Sequence, residues 1–139
     1  MSVVKTMGGV DMMVGGLTSI MTDHLVAPVM ALASGVLSWF SSTTGVVMPT
    51  LIPTVPEILE TFPSASYSAV VSGITMTSFL AAFSPASTGG AGVMAQYAIF
   101  NQEAGEKDTN KLFLRLFLTS VVSVTASTLL AAVGLYKIF

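Results

Sequence analysis

The chain alternates between apolar runs and short polar interruptions, and the lengths of the runs decide what they can be. Leu25–Phe40 is apolar over sixteen residues and closes on Trp39-Phe40. As a helix at about 1.5 Å per residue it reaches about 24 Å, less than the roughly 30 Å hydrocarbon core of a bilayer. The polar turn Ser41-Ser42-Thr43-Thr44-Gly45 follows, then a second short apolar run, Val46–Leu59, carrying Pro49, Pro53 and Pro56. Two short apolar helices around a hydroxyl-rich turn predict a re-entrant hairpin over 25–59 rather than two full spans. Irregular backbone at membrane depth needs neighbouring protein or a water-filled cavity around it.

After the polar connection Glu57–Ser68, with its Pro63, the run Tyr67–Phe83 stops at Ser84-Pro85-Ala86-Ser87-Thr88-Gly89-Gly90-Ala91-Gly92 and resumes at Val93–Phe100. Pro85 removes a backbone donor and the three glycines weaken a helix. The pattern predicts one discontinuous transmembrane helix over 67–100, broken in its middle. Asn101–Asn110 reads as an aqueous loop, and 111–139 as a terminal transmembrane helix flanked by Lys111, Arg115, Tyr136 and Lys137, residues suited to the membrane interface. Residues 1–24, with Gly8-Gly9, Gly15-Gly16, Asp11 and Asp23, read as an interfacial helix or a loop leading into the membrane. The expected fold class is therefore all-α and integral to the membrane.

Composition points the same way. Only 9% of the 139 residues are charged and 53% are hydrophobic, with a mean hydropathy of +0.82; a soluble domain carries roughly 25% charge. The expected partner of much of the surface is the lipid bilayer. A net charge of -2 without a basic run argues against nucleic acid. With no cysteine and a single histidine, His24, thiolate chemistry and a histidine metal cluster are excluded. No nucleophile–base pair or phosphate-binding loop is present, so no enzyme is expected. Met1–Met21 lacks the continuous apolar core of a signal peptide. Lys107, Lys111 and Arg115 cluster in and after the 101–110 loop, whereas the 60–66 connection has no basic residue. The positive-inside rule then puts the 101–110 loop in the cytoplasm of a multi-pass protein of the cell membrane, and the hairpin enters and leaves from the outer face.

Two interruptions carry the candidate chemistry. At the tip, Ser41, Ser42, Thr43, Thr44 and Gly45 offer hydroxyls and freed carbonyls, which are hard oxygen ligands, and helix starts, whose N–H groups and positive dipole end favour an anion. In the break, Ser87, Thr88, Gly89 and Gly90 offer the same groups. A bland reading stands beside each: a Ser/Thr turn capping two helices, and a kink where small residues permit close packing. Their pairing favours a binding half-site, since Gly/Pro-interrupted membrane segments point to transporter sites. Trp39 either lines the cavity or packs, and the hydroxyls from Thr119 to Thr128 are expected to bond their own helix or a neighbour.

The order of elements, and the stretches Ser41–Pro53 and Ser84–Gln96 in particular, resemble the C-terminal repeat of the ion transporter superfamily. The likeness is to the divalent anion:sodium symporters and, more closely, to the malonate/dicarboxylate carrier group. That family carries a Ser-Asn-Thr sequence at each hairpin tip; here the matching positions are Ser41-Ser42-Thr43, with Ser42 in place of asparagine. The resemblance implies a sodium ion at Ser41, Ser42 and Thr43, a small organic anion beside it, and elevator-like alternating access in an inverted-repeat transporter. It also implies a first repeat and scaffold helices with a homodimer partner, for which this chain has no counterpart. The expected function is the C-terminal transport-domain segment of a dicarboxylate-like secondary carrier coupled to sodium or protons, unable to transport alone. The alternatives are a cation/proton antiporter segment of the same superfamily and a non-transporting structural or assembly subunit of a membrane complex.

Overall fold

The computed structural model describes residues 15–16, 21–102 and 105–138. The 1–24 segment thus lies outside the described residues except for 15–16 and 21–24. Every regular element among the described residues is helical, as the apolar runs predict. The all-α class is observed, while a membrane context is carried by a single element, as follows.

Helix α1, Val26–Trp39, is short, as its apolar run requires. A helical arm then returns from Thr43 to Thr61. It is a π-helical turn, Thr43–Val47, followed by α2, Met48–Leu51, a 3-10 turn, Ile52–Thr54, and α3, Val55–Thr61. Pro49, Pro53 and Pro56 each fall at the first or second position of one piece. A proline there forfeits only an N–H that has no helical partner, so the arm changes pitch at each proline without breaking. The arm is longer at both ends than the expected 46–59. Met30 of α1, Val47, Leu51, Val55 and Ile58 of the arm, and Val70 and Ile74 of the next helix form one buried apolar cluster.

Helix α4, Tyr67–Ala81, starts on a Ser66 cap and is followed by turns from Ala82 to Ser87, then by α5, Thr88–Phe100. The interruption is shorter than the expected Ser84–Gly92. Gly89, Gly90 and Gly92 lie inside the first turns of α5, because Ser87 caps that helix and its Oγ accepts from Gly90 N at 3.1 Å. Helix α6, Glu106–Val133, begins earlier than the expected Lys111, with Glu106 and Asp108 in its first turn, where the helix dipole favours acids. Most of the second half of the expected 101–110 loop is therefore helical. Gly134, at φ 82°, closes α6 in the left-handed conformation and turns the chain into a final 3-10 turn, Leu135–Ile138.

The pairings fix the direction of each element. Ser34 Oγ donates to Ile74 O and Ser38 Oγ to Ser78 O, so α1 and α4 run parallel. Thr77 pairs with Ser127 and Ala81 with Ser120, so α6 runs antiparallel to both. Gly35 makes the α1–α6 crossing close; a Cβ there would sit 2.7 Å from Val124 Cγ1. At 28 residues α6 is about 42 Å long. It is the one described helix long and apolar enough to cross a membrane, α1 and α4 being apolar but shorter. The far half of α6, toward Val133, lies against α1 and α4, and the near half faces α5 across an open groove of about 590 Å³.

Candidate functional site at the hairpin tip

The tip of the hairpin and the end of α4 lie at one level, beside the middle of α6. Thr43 Oγ1 and Ser38 Oγ lie 3.0 and 2.8 Å from Ser78 O and 2.6 Å from each other; with one proton each, one hydroxyl donates to the carbonyl and the other to its neighbouring hydroxyl. Ser84 Oγ donates to Trp39 O at 3.1 Å. Ser120 Oγ reaches Ala81 O at 3.1 Å from α6. Each interruption is therefore held by the helix that leads into the other: Thr43 of the tip by the last turn of α4, and Ser84 of the break by the end of α1.

The physical cause is local. The last carbonyls of α4 have no helical donor once the chain unwinds at Ala82, and buried carbonyls need partners. Turn N–H groups supply some, Ala82 N to Phe79 O and Ser84 N to Ala81 O, and hydroxyls supply or supplement the rest. Ser38 and Thr43 serve Ser78 O, Ser120 serves Ala81 O, and Ser87 Oγ lies 2.6 Å from Ala82 O and 2.7 Å from Ser84 O. Ser38, Thr43, Ser78, Ser84, Ser87 and Ser120 are all buried. Gly90 is the steric condition for this arrangement, because a Cβ there would collide with Ser84 O and come within 2.8 Å of Pro85 Cα.

Of the nine residues singled out at the two interruptions, the structure buries Thr43, Ser87 and Gly90 in this junction. Ser41 and Ser42 are half-buried, while Thr44, Gly45, Thr88 and Gly89 are exposed. The three hydroxyls singled out for sodium have three separate partners. Ser41 Oγ donates back to Leu37 O at 2.7 Å, Ser42 Oγ accepts from Gly45 N at 3.1 Å, and Thr43 engages Ser38 and Ser78. Among the described residues no group of three or more His, Asp and Glu side chains could hold a metal.

Ser38 and Ser78 are junction residues that the sequence does not single out, and Ser84 enters there only as the first residue of the break. Ser38 has a legible signal, its helical spacing four residues from Ser34 on α1. Trp39 sits at the centre of the junction. Its carbonyl receives Ser84, and its ring lies 5.9 Å from that of Phe117 at 51°. Its indole Nε1 is buried and has no acceptor. No family model, curated protein or solved structure matches the chain.

Proposed function

We propose that this chain is the C-terminal transport-domain segment of a secondary carrier for small organic anions of the dicarboxylate type, coupled to sodium or protons. The observation that carries the reading is a hydroxyl-rich hairpin tip and a helix break held at one level beside the middle of a helix long enough to span a bilayer. Such a pairing of interrupted helices is how many carriers build a midplane site. The distribution of side chains supports a lipid environment. Among the described residues ten serines and threonines are buried, whereas Phe40, Val122 and Phe100 stand 70%, 67% and 81% exposed. Large exposed apolar surface is uncommon on a soluble monomer.

In this reading the hairpin is re-entrant, α4 and α5 form the broken span, and the 101–110 region faces the cytoplasm. Tip and break supply one half of the binding shell, and the remainder of the carrier, with a homodimer partner, supplies the other. Uptake into proteoliposomes is the test. With the remaining repeat present, Thr43→Val and Gly89→Leu abolish uptake of a radiolabelled dicarboxylate while the assembled complex persists. Full uptake by both variants refutes the carrier reading.

One observation favours a second reading. The junction hydroxyls already satisfy carbonyls at the end of α4, which is what a purely structural subunit also needs. Under that reading the same variants change the stability of the complex and leave the activity of its partner intact.

A further inference from the structure

Hydrogen-bond accounting at the junction is lopsided. The carbonyls of Trp39, Ser78, Ala81 and Ala82 each receive a hydroxyl, so acceptors are taken up inside the protein. A donor is left over. Indole N–H is a donor only, and Nε1 of Trp39 is sealed from solvent with nothing to bond. A buried donor without a partner is unfavourable, more so in a dry, weakly polarisable surrounding. Native proteins retain such a group where a water, an ion or a ligand completes it.

The residue that owns this donor also owns the latch. Ser84 Oγ holds Trp39 O, and this bond ties the end of α1 to the break. Separating them releases the backbone of Trp39 and opens the surroundings of its buried Nε1, the rest of the half-buried ring being partly exposed already. We infer that Trp39 is a specificity-determining residue of the junction: when the latch opens, its indole N–H takes a carboxylate oxygen of the bound anion. The inference rests on the carrier reading above and adds its chemical consequence. A surplus donor selects an acceptor-rich anion over a neutral or cationic solute, and the hydrogen bond is charge-assisted.

Trp39 is the only tryptophan in the chain, so its emission reports this site alone. The full chain, assembled in nanodiscs with the rest of the carrier as a tryptophan-free variant, is titrated with succinate. Bound succinate is measured in parallel by scintillation proximity. Without ligand acrylamide quenches the half-buried ring in part. Succinate shifts and quenches it saturably, with the midpoint of the binding curve, and potassium chloride does not. Trp39→Phe keeps an aromatic ring against Phe117 and lowers succinate affinity about tenfold, the order expected for one hydrogen bond to a charged group; Trp39→His, which restores an N–H, recovers part of the loss. If succinate binds but the emission stays fixed and Trp39→Phe binds equally well, the inference is overturned and the carrier reading stands. If the wild-type assembly binds no dicarboxylate, the carrier reading falls and this inference falls with it. Should Trp39→Phe not assemble, the wild-type emission decides alone.

Discussion

Thr43 illustrates how one hydroxyl serves two demands. Its Oγ1 bonds Ser38 and the otherwise underused carbonyl of Ser78, and it is buried where water does not compete. Thr43→Val preserves shape and removes both bonds. The expected cost is about 1–2 kcal/mol of stability, since Ser78 O keeps its bond from Ser38. Thr43→Ser retains the hydroxyl and loses only a methyl, so its melting temperature stays close to wild type. Thermal unfolding of both variants in detergent checks this, and equal melting of Val and Ser variants contradicts the capping role. Gly90 makes a stiffer demand, because the atoms opposing a Cβ are the backbone of Ser84 and Pro85. Gly90→Ala forces the break apart and is expected to destabilise by about 3 kcal/mol, whereas Gly92→Ala, with open space around it, is neutral or slightly stabilising.

Among the elements, α4 organises the molecule, and it does so through its carbonyls and small residues as well as through the buried Val70 and Ile74. Hydroxyls from α1, from the tip and from α6 converge on it, and a second relay, Thr77–Ser127–Tyr136 at 2.7 Å per step, ties in the final turn. Gly134 permits the reversal that brings Tyr136 back under α4 and α6. Tyr136→Phe removes the last link of the relay and keeps the ring. A loss of about 1 kcal/mol is expected, with faster amide exchange in 135–138 and unchanged exchange in α1; uniform exchange throughout contradicts a local anchoring role. The sequence made the helices and their short lengths legible because apolar run lengths and prolines act locally. It also marked both interruptions. It did not mark the bonds that set them at one level, because Ser38 with Ser78 and Ser120 with Ala81 are some forty residues apart and a serine carries no sign of its partner. The break ends at Ser87 rather than at the expected Gly92, because glycine propensity gives way to the Ser87 cap and to close packing on Ser84. The π-helical start of the arm had no legible signal beyond the turn that precedes it.

On the scale of the whole molecule the question is which solvent the outer surface meets, and the distribution of side chains makes this testable. The bundle buries hydroxyls along the seams between α1, α4 and α6 and turns large apolar residues outward. In water such a surface drives association; in lipid it is the favourable one, while the internal hydroxyls satisfy backbone that has no water to turn to. A chain without cysteine permits single-cysteine probing on an unaltered background. Ser64, Lys107 and Val122 are all exposed, on the 62–66 connection, at the start of α6 and just past its middle. The lipid reading expects them to part company in membrane vesicles. Ser64→Cys reacts with a membrane-impermeant maleimide from the outer face, and Lys107→Cys only from the cytoplasmic face. Val122→Cys, at 67% exposure open to bulk solvent if that solvent were water, stays unlabelled from either side and reacts only with a lipid-soluble reagent. The geometry leaves little room for compromise, because Val122 lies within two residues of the Ser120 contact that marks the level of the tip. Rapid labelling of Val122→Cys by the impermeant reagent would place that level in water, and the junction of tip and break would then be a packing device of a soluble bundle rather than half of a transport site.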